Sequence, residues 1–301
     1  MRVCEAIEPR RRGTVLGVAG ALALMCVGPA LAQGEPGPQE PAQAPQVTVQ
    51  AGGVATAVHD SEALAQKLNN PVAALVSVRF QFNWDEGLGP DDEGRRFLLN
   101  IQPVMPFKLN DDWNLIARVI MPFIGQPVLI EGAEPSFGMG DITLSTFFSP
   151  NKGGLIWGAG PVVLLPVTSD PLLGSGKYGL GPSVVVLKQE GPFTVGALWN
   201  QVWSVGGDAG RNDVNQMFLQ PFISWGKKGW TLAANAETSI NWEAESDQWT
   251  VPINLTVSKV VEIGTHPLSV GAGVRYYADA PPGGPSWGFR LFMTLLFPTG
   301  A

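Results

Sequence analysis

Cysteine is almost absent from this chain, and the two that it has, Cys4 and Cys26, both lie among the first 26 residues. No disulfide framework can therefore hold the rest of the chain together. Histidine is equally scarce, with only His59 and His266. A Ser–His hydrolase needs a histidine beside its serine, and a His/Cys metal site needs several such ligands. We therefore predict no enzyme of this kind, no metal site and no cofactor.

The chain also lacks an excess of basic charge and long hydrophobic runs. The chain of 301 residues has 19 Lys and Arg against 26 Asp and Glu, a formal net charge of −7. This balance gives no electrostatic footprint for nucleic acid. From Val72 onward, no apolar run reaches the roughly 20 residues of a membrane-spanning helix. The chain is nevertheless 45% hydrophobic, so its apolar residues must follow another pattern.

The N-terminal residues show the three parts of a secretory signal peptide. Arg10–Arg12 form a basic start, VLGVAGALALMCV is a short apolar segment, and Ala30-Leu31-Ala32 is an A-x-A cleavage site. The predicted organisation is a signal peptide at 1–32, a flexible leader at 33–59, a short helix at 60–71 and a barrel at 72–301. Two positions for the helix remain open. We favour a loose amphipathic helix at the mouth of the barrel over a plug inside it.

Beyond the helix, hydrophobicity alternates with period two in segments of about 10–13 residues, the length of a tilted membrane strand. Twelve segments are predicted, at 73–84, 95–108, 113–124, 139–149, 155–168, 177–189, 193–205, 214–225, 230–243, 248–260, 268–279 and 287–297. Long loops such as DEGLGPDDEG mostly alternate with tight turns such as LNDD, although AESD is short where a long loop is expected. We therefore predict an all-β fold, a transmembrane antiparallel up-and-down β-barrel of about 12 strands with a short N-terminal helix.

The two faces of these segments differ in a way that suits a barrel around a polar lumen. One face is apolar, and the other carries Asn, Gln, Ser, Thr and Arg, with few of the Lys/Glu pairs of a solvated exterior. Tryptophans cluster at segment ends, as Trp225 and Trp230 do around GKKG, which is typical of aromatic girdles. Proline removes a ladder donor, so we expect the prolines inside these segments at bulges or shifted strand ends. They are Pro103, Pro106, Pro122, Pro161, Pro166, Pro182, Pro221 and Pro252.

The candidate functional residues are charged side chains on the predicted lumen face. Five arginines lie opposite the large apolar residues, namely Arg79, Arg96, Arg118, Arg275 and Arg290. Because the last strand of a barrel closes on the first, we expect one contiguous basic wall, which Glu237 and Asp141 can face. Two interpretations stay open: a structural ion-pair network that stiffens a narrow lumen, or a pore wall that attracts an anionic or aromatic solute.

Acidic loops offer a less favoured site. They contain Asp91, Asp92, Glu93, Glu243, Glu245 and Asp247. Such carboxylates can hold calcium, or magnesium that bridges lipopolysaccharide. No calcium-loop spacing is present, so solvated loop charge is the favoured interpretation.

Several stretches, among them NDDWNLIARVIMPFI, FGMGDITLSTFFSP and IWGAGPVVLLPVTSD, resemble a family of Gram-negative outer-membrane transporters grouped with the MetA-pathway phenol-degradation proteins. The resemblance covers nearly all of the chain after about residue 64. It implies an outer-membrane barrel related to the passage of small molecules, aromatic ones included. It implies no established substrate and no catalytic residues.

Together these observations predict an outer-membrane protein that acts as a passive channel or transporter for small aromatic or anionic molecules. The expected partners are outer-membrane lipid and lipopolysaccharide, the barrel-assembly machinery and an unidentified small solute. Phe297 resembles the aromatic C-terminal signal for barrel assembly, although PTGA follows it. The alternatives are a structural or adhesive barrel with a closed lumen and, less favoured, an outer-membrane enzyme.

Overall fold

Antiparallel strands dominate the computed structural model, which describes residues 53–126, 135–264 and 266–297. The predicted signal peptide, and the leader up to residue 52, lie outside the described residues. The elements are α1 (Gly53–Leu68), β1 (Val76–Leu88), β2 (Gly94–Lys108), β3 (Trp113–Gln126), β4 (Ser136–Met139), β5 (Ile142–Pro150), β6 (Ile156–Leu165), β7 (Lys177–Glu190), β8 (Phe193–Gly207), β9 (Asn215–Lys227), β10 (Trp230–Ala236), β11 (Thr238–Asn241), β12 (Trp249–Thr250), β13 (Pro252–Ile263), β14 (His266–Tyr277) and β15 (Trp287–Phe297). Within these ranges, no helix is both long enough and apolar enough to cross a membrane.

These segments form twelve barrel strands, because β4 with β5, β10 with β11 and β12 with β13 are interrupted single strands. Each barrel strand pairs with the next one along the chain. The last segment, β15, pairs antiparallel with β1 from Val76↔Phe297 to Glu86↔Trp287, so the sheet closes on itself without a free edge. The predicted fold, a closed antiparallel barrel of twelve strands with one N-terminal helix, is confirmed.

The two ends of the barrel carry different connections. At the short-turn end the strands are joined by two to five residues, and at the long-loop end the described connections have five to eleven. The irregularity expected at AESD disappears, because β11 ends at Asn241 and β12 begins at Trp249. The mid-length VEIGTH likewise tightens to a turn in which Ile263 pairs with His266. The alternation is therefore more regular than the sequence indicates, because the strands end earlier around AESD, which lengthens that loop, and extend further into VEIGTH, which shortens that turn.

Apolar side chains cover the outer face of the barrel. Phe82, Leu232, Leu255 and Leu291 are among those that point away from the lumen and are 39% to 60% exposed. Exposed tryptophans form two belts, with Trp113, Trp157, Trp225 and Trp230 at the short-turn end and Trp84, Trp203, Trp242, Trp249 and Trp287 at the long-loop end. An apolar band between two aromatic girdles matches a lipid bilayer and its two interfaces.

Prolines interrupt the ladders in two ways. Pro122 lies beside a bulge, since Phe123 pairs with Met139 while Ile120 pairs with Thr143, which inserts one extra residue in the facing strand. Pro161 shows the other pattern. It pairs with Pro182, and the β5–β6 ladder passes over it with its register unchanged. The expectation of a bulge is therefore wrong for such prolines, because the missing N–H removes pairing on one side of the strand only.

Candidate functional site

The five arginines predicted for the lumen lie on the inward faces of neighbouring strands. Arg96 is on β2, Arg118 on β3, Arg275 on β14, Arg290 on β15 and Arg79 on β1. Because side chains alternate between the two faces of a strand, these arginines share the lumen with polar neighbours such as Ser77 and Gln81. Arg275 and Arg290 are only 5% and 2% exposed.

Asp85 joins two of these arginines at the long-loop end. Its Oδ2 lies 2.9 Å from a terminal nitrogen of Arg96, and its Oδ1 lies 3.1 Å from Nε of Arg275. The carboxylate is fully buried. The sequence pattern places Asp85 in the first long loop, DEGLGPDDEG, but β1 continues to Leu88. Alternation carried past Trp84 would have placed Asp85 inward, so the signal was present in the sequence.

Glu237 is the second anionic centre of the wall. Its two carboxylate oxygens accept hydrogen bonds of 2.7 Å from the two terminal nitrogens of Arg290, and Arg275 lies 3.4 Å from Oε2. Glu237 stands in the break between β10 and β11, where its N–H donates to the Pro252 carbonyl. Pro252 has no N–H that could donate a second hydrogen bond to Glu237. The ladder is therefore interrupted at Glu237, the residue that reaches the arginines.

Asn83 and Tyr277 complete this network with neutral groups. The Asn83 Oδ1 accepts hydrogen bonds from Arg275, at 2.8 Å, and from Nε of Arg290, at 2.7 Å. Arg275 also donates a hydrogen bond of 2.9 Å to the Tyr277 hydroxyl. Neither residue was a sequence-based candidate. The two arginines are thus held by several partners each, as buried charges require.

Arg79 and Arg118 differ from the other three arginines, because neither has a carboxylate partner among the described residues. The Arg79 guanidinium lies over the Phe292 ring at 4.0 Å from its centroid, and its buried Nε makes no hydrogen bond. Arg118 donates to the amide oxygen of Gln102 at 3.1 Å. Five arginines therefore face two carboxylates, and the wall keeps an excess of positive charge.

Asp141 points inward but does not join the arginine wall in this structure. Its Oδ2 accepts hydrogen bonds of 2.5 Å from the backbone N–H and the hydroxyl of Ser175, at the base of the loop 166–176. This loop folds into the long-loop end of the lumen, where Ser169 and Leu173 pack on Gly138. A Cβ at Gly138 would collide with the Ser169 hydroxyl, so glycine is needed for this close approach.

Arg211 fixes the same inward-folded loop from the opposite side. Its guanidinium donates to the backbone carbonyls of Pro171, Gly174 and Ser175. A guanidinium carries five N–H donors in a rigid fork, which suits three acceptors from one loop. The loop 166–176 therefore narrows the lumen at this end, a feature that the sequence pattern did not reveal.

Other charged groups at the long-loop end are engaged in ion pairs. Nζ of Lys177 lies 2.9 Å from the Asp213 carboxylate, and the Ser204 hydroxyl donates to the same oxygen at 3.1 Å. These hydrogen bonds, that from Lys177 first, lower the pKa of Asp213 because they favour its ionised form. Within the described ranges, no group of three or more His, Cys, Asp or Glu could hold a metal ion.

The helix α1 lies at the mouth of the barrel, at the short-turn end. Ala65, on the helix, belongs to one apolar cluster with Leu75 and with Val260 and Leu296, which are inward-facing residues of β13 and β15. Gln66 is tied to the β7–β8 turn by hydrogen bonds with Gly191 and Gln189. The helix begins at Gly53, seven residues before the predicted start at 60, and ends at Leu68. It lies at the mouth, as the sequence favoured, but it is not loose, because Ala65 is buried in an apolar cluster and Gln66 is hydrogen-bonded to the turn.

An apolar cluster fills the lumen next to this helix. Val72, which follows α1, packs against inward-facing residues of four strands, namely Ile116, Phe147, Val185, Leu187 and Leu198. Ile116, Phe147 and Val185 are fully buried. The N-terminal segment therefore supplies the centre of a packed core inside the barrel. Period two identified the inward face of these strands but gave no indication that an upstream segment would fill it.

Comparison with known proteins bears on the fold. No protein-family model matches the chain, and no curated protein matches it in sequence. An outer membrane channel from Pseudomonas putida F1 is similar in structure, with a TM-score of 0.58 and 15% identity over 74% of this chain and 94% of that one. NanC porin gives a TM-score of 0.46 at 9% identity, covering 74% of this chain and 100% of that chain.

A third structure, the dimeric outer membrane phospholipase of Salmonella typhi with bound calcium, gives a TM-score of 0.45 at 11% identity. It covers 78% of this chain and 98% of that chain. Scores below 0.5, as for the porin and the phospholipase, support no argument about this protein. The likeness to the Pseudomonas channel concerns the fold alone. The chain therefore has the fold of a twelve-stranded outer-membrane β-barrel.

Proposed function

We propose that this protein is a channel of the bacterial outer membrane that passes small anionic solutes by diffusion. The observation that carries the proposal is the imbalance of charge on one lumen wall, where five arginines face only Asp85 and Glu237. Positive side chains that line a narrow passage attract anions and repel cations. The fold shared with the Pseudomonas outer membrane channel is consistent with this role.

The proposed location rests on the outer surface of the barrel. An apolar band between two tryptophan belts fits a bilayer, and in water it would be an extensive exposed apolar surface. The predicted signal peptide at 1–32 supplies export, and the predicted leader joins it to α1. Contacts with lipopolysaccharide, other outer-membrane lipid and the barrel-assembly machinery remain predictions that follow from this location.

The plugged short-turn end favours a second candidate, a structural barrel with a closed lumen. Val72 and α1 fill that end, and Ile116, Phe147 and Val185 are fully buried beside them. A channel with this structure must displace its N-terminal segment before a solute passes. This segment precedes β1, which begins at Val76, and contributes no strand to the barrel, so it can leave without unpairing a barrel strand.

Conductance distinguishes the two candidates. The refolded barrel, with leader and helix intact, would be inserted into a planar bilayer under a salt gradient. We expect discrete openings, rare while the helix is seated, and a reversal potential that shows anion preference. Replacing both Arg79 and Arg118 by Gln should reduce that preference, whereas Arg95→Gln, on the outer face, should leave it unchanged. A folded barrel that never conducts, even after α1 is dislodged, would support the structural role.

A further inference from the structure

Arg79 and Arg118 form a compact cationic pair inside the barrel. Arg79 pairs in register with Gln102 of the next strand, and the Gln102 side chain accepts the hydrogen bond from Arg118. The two arginines thus lie on β1 and β3, on either side of one glutamine. Nε of Arg79 is buried without a hydrogen-bond acceptor. Two adjacent buried charges with an open donor call for an anionic partner.

The Glu237 carboxylate is engaged by Arg290 and Arg275 and makes no ion-pair contact with Arg79 or Arg118. A single bound carboxylate would supply the acceptor that Nε of Arg79 lacks. A carboxylate fits because its two oxygens match the fork of a guanidinium. The Phe292 ring already covers one side of Arg79, so an anion would approach from the lumen.

Apolar surface begins one inward position below the cationic pair. Val104 follows Gln102 on the inward face of β2, and Ile116 precedes Arg118 on that of β3. Both belong to the apolar cluster around Val72. The side chain of Val72 comes from the N-terminal segment and not from a barrel strand. An apolar group attached to a bound carboxylate would therefore reach the place that Val72 occupies.

We propose that Arg79 and Arg118 bind the carboxylate of a monocarboxylate with a short apolar tail, and that the tail replaces Val72 in the cluster. The proposal rests on the proposed channel function and names its solute class. Binding of the solute and release of the N-terminal segment are then coupled, because the apolar tail of the solute and the Val72 side chain compete for one apolar position. A solute of this class favours the open state by the difference in its affinity for the two states.

Isothermal titration calorimetry tests the site with sodium hexanoate and sodium acetate as the two probes. The sample is the refolded barrel in detergent with its leader and helix intact. Hexanoate should bind about tenfold more tightly than acetate, because only hexanoate carries a tail that leaves water for the apolar cluster. Equal affinities for the two probes would overturn the proposed tail position.

Variants assign the binding to the named residues. The double substitution of Arg79→Gln and Arg118→Gln should abolish hexanoate binding, whereas Arg95→Gln on the outer face should not change it. Val72→Ala weakens the competing contact, so it should tighten hexanoate binding and leave acetate unaffected. If the double variant does not fold, the site is tested by the single variant Arg118→Gln, which should weaken hexanoate binding, and by Val72→Ala, which should tighten it. Hexanoate binding that is unaffected by all of these substitutions would refute the proposal.

The titration does not depend on conduction, so the two proposals fail separately. A barrel that conducts anions but binds hexanoate no better than acetate keeps the channel function and loses this site. A barrel that binds hexanoate as expected but never conducts keeps the site and loses the channel function.

Discussion

Glu237 accepts hydrogen bonds of 2.7 Å from both terminal nitrogens of Arg290, although β13 and β14 lie between their strands. The pair therefore crosses two strands on the inside of the wall. Each partner also contacts Arg275 or Asn83. A bidentate pair in this setting fixes the positions of several side chains at once.

Removal of the Glu237 charge should destabilise the barrel. In Glu237→Gln, Arg290 and Arg275 lose their shared carboxylate while they stay buried, which typically costs about 3–5 kcal/mol. Unfolding of the refolded protein in urea, followed by tryptophan fluorescence, measures the change. Glu262→Gln, at an exposed position of β13, is the matched control and should be neutral. Equal stability of the two variants would show that the network contributes nothing to folding.

A charge on the buried face of α1 should open the short-turn end. Ala65 is 2% exposed against Val260 and Leu296, so Ala65→Glu places an unpaired carboxylate in an apolar contact and should dislodge the helix. Single-channel recording should show a larger open probability than for the wild type. Ala63→Glu, on the exposed face of the same helix, should behave as the wild type. Identical recordings from both variants would argue against a plug at this position.

The loop 166–176 should loosen when Arg211 is removed. Arg211→Ala leaves the carbonyls of Pro171, Gly174 and Ser175 without their shared donor. We expect faster proteolytic cleavage within this loop, and noisier single-channel currents, because the loop narrows the lumen. Lys152→Ala removes an exposed ion pair at the opposite end and is the control. Unchanged cleavage in Arg211→Ala would mean that Asp141 alone secures the loop.

A charge on the outer face should destabilise the barrel more strongly when it lies nearer the middle of the bilayer. Leu291 is 60% exposed near the middle of β15, and Leu291→Arg should cost about 2–4 kcal/mol in a bilayer. Ile263→Arg, at the short-turn end beside the interface, should cost only about 0–1 kcal/mol. Reversible unfolding from lipid vesicles gives both values. The same cost at both positions would contradict the placement of the band between the tryptophan belts.

Much of the wall was predictable from local pattern. Alternation placed Arg79, Arg96, Arg118, Arg275 and Arg290 on one face, because successive side chains in a strand point to opposite sides. Closure of the last strand on the first then made them neighbours. Asp85 was missed because acidic and glycine residues follow it and resemble a loop, although β1 continues to Leu88. The ion-pair partner of a charged residue was therefore harder to predict than the strand face on which that residue lies.

The sequence by itself determined the barrel, its strand number and the face of each strand, because these follow from period two and from the turns. Tertiary structure decided what fills the barrel. The cluster shared by Val72 and Ile116, the cluster shared by Ala65 of α1 and Leu296, and the hydrogen bond from Ser175 to Asp141 all join segments that are distant in the chain. No local pattern encodes such contacts, because they depend on the curvature that closes the sheet and on which side chains then compete for the same interior space.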